Sequence, residues 1–129
     1  MYLCIVIATL ICAEPVIVRR PTSAVREVGT SVQFDCSVSE SYQYYFDWRL
    51  RRQSPNGDVD SQLIYYTTNN TGLVRGPGFP AERFRRVGNY GLSITSLTLQ
   101  DGANYRCEFV VNSLSASAYL FVMGEFCVY

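Results

Sequence analysis

Apolar and polar side chains alternate in short runs over most of the chain after residue 14, and turn residues separate the runs. A two-residue period is typical of a half-buried strand, and no stretch shows a helical period. The expected strands are residues 16–18, 31–37, 45–51, 62–67, 83–87, 92–99, 105–111 and 118–123. Short strands in this number and at this spacing predict an all-β fold, an antiparallel sandwich or barrel.

The alternation also predicts which side chains are buried, because every second side chain of a strand faces the same way. The expected inward sets are Val32, Phe34 and Cys36; Phe46, Trp48 and Leu50; Leu92 and Ile94; and Tyr105, Cys107 and Phe109. Cys36 and Cys107 face inward from strands that are far apart in the sequence. They are therefore placed to join two sheets through a disulfide, which would stabilise the domain by about 4 kcal/mol.

Residues 1–13 are apolar and carry no charged side chain. The stretch is too short to span a bilayer, and the small residue Ala13 before Glu14 suits a cleavage position, so it predicts a secretory signal peptide. The alternative is an N-terminal strand of the fold. No other apolar stretch of the chain is long enough to span a membrane either. We therefore expect a secreted chain or the extracellular part of a cell-surface protein.

The cysteines indicate that the chain folds in an oxidising compartment. Cleavage after residue 13 removes Cys4 and Cys12 and leaves three cysteines, of which two can pair. If Cys36 and Cys107 form that pair, Cys127 remains as a free thiol. It would link two chains, link a following domain, or pair with a residue that follows Tyr129.

The charged residues exclude several classes of function. All 11 basic residues are arginines, and the chain has no histidine. A Schiff-base lysine, a P-loop lysine and the commonest general base and metal ligand are therefore missing. The formal net charge is zero, which gives no electrostatic attraction to nucleic acid. We expect no enzyme activity, no cofactor and no bound metal, and a function in binding.

Several spaced positions together resemble a variable-type (V-set) immunoglobulin domain. Cys36 is followed by Trp48, and residues 101–107 have the sequence D-G-A-N-Y-R-C, whose D-x-A-x-Y-x-C pattern is the most specific part. Residues 28–36, 63–65 and 92–101 are also similar to strands of that family. The resemblance covers residues 15–124, and it implies an all-β Greek-key sandwich of two antiparallel sheets.

The resemblance implies structural roles for four residues. Trp48 would pack in the core against the disulfide, and Tyr105 would form the tyrosine corner of the fold. Arg83 would form a salt bridge with Asp101. The expected domains are a signal peptide at 1–13, a V-type domain at 14–124, and a tail or the start of a following segment at 125–129.

Departures from the family's pattern indicate which kind of V-set domain this is. The F-G-x-G motif of rearranging receptors is missing from the last strand. Arg51 stands where antibody and T-cell-receptor domains commonly have the Gln that pairs across their heterodimer. The expected connection between the last two strands, residues 112–115, is short. The resemblance is therefore to a non-rearranging receptor or adhesion protein.

Two surfaces are candidates for ligand binding. Residues 118–123, 105–111, 45–51 and 62–67 resemble strands G, F, C and C′ of the family. Their outward positions combine charged residues with tyrosine, which suits a reversible protein interface or an ordinary solvated face. The B–C loop is rich in Tyr and Ser, the composition of antibody binding loops. Asp47 is expected to face outward on the same sheet. The candidate ligand-binding residues are Tyr42, Tyr44, Tyr45, Arg49, Arg51, Tyr65, Arg106, Glu108 and Asn112.

Asn69 begins an N-x-T sequence and is a candidate glycosylation site in a secreted chain. The expected function is an extracellular recognition module of immune-receptor or cell-adhesion type. It would bind a cell-surface protein or a glycan through the G-F-C-C′ face and the loop tips. The alternative is a structural or assembly domain of a longer ectodomain without a ligand of its own, with Cys127 joining two chains as a dimer.

Overall fold

The computed structural model describes residues 3–6 and 10–13 as backbone, and residues 15–39, 45–68, 72–110 and 113–124 in full. The strands in these ranges are β1 (Leu3–Val6), β2 (Leu10–Ala13), β3 (Ile17–Arg19), β4 (Ala24–Glu27), β5 (Val32–Phe34), β6 (Ser37–Val38), β7 (Tyr45–Gln53), β8 (Val59–Thr68), β9 (Gly72–Arg75), β10 (Phe84–Val87), β11 (Gly91–Ile94), β12 (Ala103–Phe109) and β13 (Leu114–Met123). A single turn of 3-10 helix at Leu99–Asp101 precedes β12.

Two layers of sheet form the domain. One layer is a six-stranded sheet in the order β4-β13-β12-β7-β8-β9, and the other combines the sheet β10-β11-β5 with the short pair β3-β6. Neighbouring strands are antiparallel except β4 and β13, which run parallel. Buried side chains from both layers form one core. The predicted all-β sandwich is therefore confirmed.

Some strand boundaries differ from the expected ones. The alternation did not predict β4 or β9, which are short edge strands with little buried surface. β11 ends at Ile94 and not at residue 99, because Ser96 has a positive φ of 52° that interrupts extended backbone. β13 begins at Leu114 and not at residue 118.

The first two strands pair with each other, in a register that places Leu3 opposite Ala13. Within the described residues, neither of them pairs with a strand of the sandwich. This pairing does not test cleavage after residue 13, so the signal peptide stays a prediction.

Aromatic rings around Trp48 fill the centre of the core. Trp48 is fully buried, lies beside Phe34 and Phe46, and is the register partner of Cys107 in the neighbouring strand. Its indole Nε1 donates a hydrogen bond of 2.8 Å to the Tyr90 carbonyl, which satisfies the polar atom of the ring. The predicted burial of Trp48 beside the disulfide is thus present in the structure.

The disulfide joins Cys36 and Cys107 across the two layers, with a Cα–Cα distance of 6.6 Å and a sequence separation of 71 residues. The predicted pairing is confirmed. Tyr105, also fully buried, stacks on Phe34 at 5.4 Å between ring centroids. The Tyr105 hydroxyl donates a hydrogen bond of 2.5 Å to the Asp101 carbonyl, as the tyrosine corner requires.

A bulge in β8 changes the parity of the sheet. Trp48 pairs with Tyr65, but the next residue, Arg49, pairs with Leu63, so Ile64 is an extra residue in β8. As a result, Ile64 and Tyr65 are both fully buried. A bulge of this kind re-aims the side chains that follow it.

The expectation that Tyr65 faces outward and binds a ligand is therefore wrong. Its hydroxyl donates a hydrogen bond of 2.7 Å to the Gly91 carbonyl inside the core, and burial raises its pKa. Gly76 packs its backbone against the bulge, and its N–H donates to the Ile64 carbonyl. A Cβ at this position would lie 1.8 Å from the Leu63 carbonyl oxygen, so only glycine fits.

Asp101 organises the corner between β11 and β12. Its carboxylate accepts hydrogen bonds from the Thr98 N–H at 2.8 Å and the Thr98 hydroxyl at 3.2 Å. Arg83 forms an ion pair with the same oxygen, Oδ2, and donates a second hydrogen bond to the Thr95 carbonyl. Since Asp101 is buried and Arg83 is mostly covered, removing the carboxylate would leave the guanidinium without its ion-pair partner and the Thr98 N–H without its acceptor.

We expect the double substitution Cys36→Ala and Cys107→Ala to lower the free energy of unfolding by about 4 kcal/mol, because the disulfide restricts the unfolded chain. Urea denaturation followed by the fluorescence of Trp48, the only tryptophan, measures the change. Cys127→Ser is the matched control and should leave the stability unchanged. Non-reducing peptide mapping that found Cys36 or Cys107 bonded to Cys127 would contradict the strand assignment.

We expect Asp101→Ala to cost about 2 to 4 kcal/mol of stability, since it removes the ion-pair partner of Arg83 and the acceptor of the Thr98 N–H. The same denaturation measurement applies. Asp58→Ala, at an exposed turn, is the control and should change the stability by no more than about 0.5 kcal/mol. An Asp101→Ala loss as small as that of the control would show that the corner does not depend on the ion pair.

Candidate functional site

The face of the six-stranded sheet that points away from the core is the candidate site, and we call it the outer face. It consists of alternate residues of its strands. They are Val25 and Glu27 on β4; Ser115, Ser117, Tyr119, Phe121 and Met123 on β13; Asn104, Arg106 and Glu108 on β12; Tyr45, Asp47, Arg49 and Arg51 on β7; and Leu63 and Tyr66 on β8.

Charged residues occupy the centre of the outer face, and like charges stand opposite each other. Arg49 pairs in register with Arg106, and Asp47 pairs in register with Glu108. Like charges directly opposite each other destabilise a sheet. The charges are balanced along each strand instead, by an Arg49–Asp47 contact of 3.3 Å and an Arg106–Glu108 contact of 3.5 Å.

Asp47 lies on the outer face as expected, but it is only 1% exposed, which the alternation did not predict. Tyr66 lies directly opposite it and stacks on Tyr45 with 5.3 Å between ring centroids, so aromatic rings flank the carboxylate. Burial raises the pKa of Asp47, while the Arg49 guanidinium opposes this rise. The result is a weakly solvated ion pair inside the face.

Two polar atoms of this charged centre lack a partner. Oδ1 of Asp47 and Nε of Arg106 are buried and accept or donate no hydrogen bond within the described residues. The Arg106 guanidinium does donate a hydrogen bond of 2.9 Å to the Ser115 hydroxyl. Buried polar atoms without partners are uncommon in folded proteins, and they often occur at sites of function.

Arg51 lies beside the charged centre and differs from Arg49 and Arg106. It pairs in register with Asn104 and Ser61, and it has no ion pair within the described residues. It lines a shallow depression of about 310 Å³ together with Asn104, Ser117 and Tyr119, and Val59 also contributes to this depression.

Large apolar side chains occupy the end of the outer face next to this depression. Val25 is 55%, Tyr119 55%, Phe121 58% and Met123 46% exposed. The rings of Tyr119 and Phe121 stack at 5.9 Å, and Phe121 lies opposite Val25 on the edge strand. We call these four residues the apolar stripe. The alternation in residues 118–123 could have revealed it, because both faces of that strand are apolar.

The predicted ligand-binding residues have different outcomes. Arg49, Arg51, Arg106 and Glu108 lie together on the outer face, with Tyr45 at its edge. Tyr65 is in the core. Neither Tyr66 nor the apolar stripe was predicted from the sequence as part of a binding site. Five predicted sites, Tyr42, Tyr44, Asn112, Asn69 and Cys127, lie outside the described residues.

The described part of the chain holds no group of three His, Cys, Asp or Glu side chains that could bind a metal. No helix in the described ranges is long and apolar enough to cross a membrane.

Comparisons with known proteins agree with this architecture. A family model of the immunoglobulin V-set domain matches residues 19–120. Human T cell receptor gamma variable 4 is 24% identical over 92 residues, which are 68% of this chain and 75% of that protein.

Two solved structures share the fold at low identity. A marsupial T cell receptor has a TM-score of 0.67 and 20% identity. The match covers 91% of this chain and 54% of the receptor chain. A chain from work on T cell specificity and activation by the bacterial superantigen toxic shock syndrome toxin-1 has a TM-score of 0.66 and 17% identity, with 85% of this chain and 100% of that chain covered. Because the family model matches most of its length, this chain belongs to the immunoglobulin V-set family.

Proposed function

We propose that this domain is an extracellular recognition module that binds a partner protein reversibly through the charged centre of the outer face. The observation that carries the proposal is the direct opposition of Arg49 and Arg106 beside that of Asp47 and Glu108. These pairs do not stabilise the sheet, but Arg49, Arg106 and Glu108 are partly exposed and present their charges to a partner.

The unsatisfied atoms support the same proposal. Oδ1 of Asp47 can accept one more hydrogen bond, and Nε of Arg106 can donate one. Both atoms are buried in the free domain, so a partner would reach them by displacing a neighbouring side chain. Arg and Tyr, here Arg49 and Tyr66, are residue types that often dominate binding energy. A charged, partly solvated centre suits a reversible interface better than an obligate one.

Several features of the chain are proposed with this function. Relatives that are T cell receptors support a receptor-type role outside the cell, without catalysis. We propose that residues 1–13 are a signal peptide and that residues 125–129 are a tail or the start of a following segment. Tyr42, Tyr44 and Asn112 would extend the contact at the loop end, where a glycan is a second possible ligand. A sugar on Asn69 would keep partners away from the β9 edge.

The test is the double substitution Arg49→Gln and Arg106→Gln. The domain, immobilised as a monomer, is screened against an array of extracellular proteins, and each reproducible binder is titrated against the variant. We expect affinity to fall at least about tenfold, because the guanidinium contacts are lost. The melting temperature should fall, because Arg49→Gln removes the ion-pair partner of the buried Asp47 carboxylate, and affinity is therefore measured where circular dichroism shows that the variant is folded.

The matched control is Arg85→Gln with Arg86→Gln, two exposed arginines on the opposite sheet. It should retain the full affinity. Equal losses in the two variants would contradict a specific role of the outer face. Full affinity in the Arg49→Gln and Arg106→Gln variant, or an array without any binder, would favour the structural or assembly role.

We expect Cys127 to be an accessible thiol that joins two chains. Expressed as the full chain, the protein should run partly as a dimer on a non-reducing gel, and Cys127→Ser should remove that dimer without changing the melting temperature. A thiol at Cys127 that reacts with reagents only after denaturation would contradict this placement outside the domain core.

A further inference from the structure

We propose that the side of the sandwich where β9 meets β10 binds a sulfated polysaccharide through Arg75, Arg85 and Arg86. We call these three residues the arginine edge. The proposal rests on the proposed function for its extracellular setting, because sulfated polysaccharides occur outside the cell. It concerns a different surface from the outer face and a different class of ligand.

The charges of the chain are unevenly distributed. Residues 72–100 contain four arginines and one carboxylate, that of Glu82, which gives this stretch a formal charge of +3. The other residues contain the remaining seven arginines and ten carboxylates, so their formal charge is −3. The net charge of zero therefore results from two opposite excesses, and β9 and β10 lie in the positive one.

Three of these four arginines lie together where the two layers meet. β9 is the last strand of the six-stranded sheet, and β10 is an edge strand of the three-stranded sheet. Arg75 donates a hydrogen bond from β9 to the Phe84 carbonyl, which belongs to the peptide bond before Arg85. Burial raises the pKa of Tyr65, and the nearby charges of Arg86 and Arg75 oppose this rise. The three guanidinium groups therefore lie around one short segment of β10.

The arginine edge has open hydrogen-bond donors and no compensating carboxylate. Within the described ranges none of its members forms an ion pair, whereas Arg83, the fourth arginine of the stretch, pairs with Asp101. Arg85 and Arg86 are exposed. Arg75 and Arg86 each donate one hydrogen bond to a backbone carbonyl. Since a guanidinium has five N–H donors, most donors of the arginine edge remain available to a ligand.

The chemistry of the arginine edge favours sulfate groups on a polysaccharide. Guanidinium groups bind oxyanions through charge-assisted hydrogen bonds, often two at a time. Binding of single-stranded nucleic acid also uses exposed aromatic rings, and binding to a membrane surface also uses apolar side chains. In the described part of the chain, no large exposed apolar side chain lies on β9 or β10. A sulfated polysaccharide requires only the charges and hydrogen-bond donors.

The experiment titrates a heparin decasaccharide, a heavily sulfated probe, into the full chain and measures binding by isothermal titration calorimetry. The chain carries Cys127→Ser and Asn69→Gln, which remove the thiol and the candidate glycosylation site next to β9. We expect a dissociation constant of about 10 to 100 µM at low salt. Affinity should fall as salt is added, with a logarithmic slope of about 2 for three cations.

Arg85→Gln with Arg86→Gln should raise the dissociation constant at least about tenfold and reduce the salt slope to about 1. The matched control is Arg20→Gln with Arg26→Gln, which removes the same charge from two exposed side chains. Arg26 lies on β4, at the opposite edge of the six-stranded sheet, so this variant should keep its affinity. Circular dichroism should show that both double variants remain folded.

Three results would overturn the proposal. The first is no binding at about 500 µM decasaccharide, which would leave the arginines only the role of preventing strand addition at this edge. The second is an equal loss of affinity in the two double variants, which would indicate unspecific attraction by charge. The third is tighter binding to a single-stranded DNA decamer or to phosphatidylserine vesicles than to the decasaccharide.

The arginine edge and the proposed ligand site can be tested separately. Arg49→Gln with Arg106→Gln should keep the affinity for the decasaccharide, since both residues lie on the outer face. Arg85→Gln with Arg86→Gln should keep the affinity for a protein that binds the outer face. Failure of one site therefore does not imply failure of the other.

Discussion

The disulfide between Cys36 and Cys107 sets the distance between the two layers, and the rest of the domain is arranged around it. Trp48 fills the space beside the bridge, and its indole Nε1 donates a hydrogen bond to the Tyr90 carbonyl. Tyr105 reaches from the same strand as Cys107 to the Asp101 corner. Covalent and packing constraints thus converge on β12 and β7, the two central strands of the six-stranded sheet, which carry the charged centre of the outer face.

These contacts on the inner side explain how the outer face can hold unfavourable charge pairs. Arg49 and Arg106 stay opposite each other because the register of β7 and β12 is fixed on the inner side by Trp48 and Cys107. A one-residue slip would turn these buried residues toward water. The packing of the core therefore maintains an arrangement of surface charges that is unfavourable by itself. Such conflicts between local interactions and the overall fold are common at functional sites.

Much of the core could be predicted from the sequence, because alternation identifies the buried side of each strand. The inward positions of Phe34, Trp48 and Tyr105 follow from that rule alone. It fails at Tyr65, since the extra residue Ile64 reverses the parity, and a bulge leaves no clear mark in the alternation. It places Asp47 on the correct face but does not reveal its burial beside Tyr45 of the same strand and Tyr66 of the neighbouring one. Parity determines the face of a side chain, but its exposure depends on neighbours across the sheet.

The edges of the six-stranded sheet have a consequence for how any partner approaches. Each edge is a strand of four residues, β4 on one side and β9 on the other, and β4 runs parallel to the long strand β13. Long, open edges recruit further strands and lead to fibrous aggregation, whereas short ones offer few backbone hydrogen bonds. Growth of this sheet by strand addition is therefore disfavoured. Contacts of this sheet with other molecules are therefore made by side chains, which distinguish between partners in a way that backbone hydrogen bonds cannot.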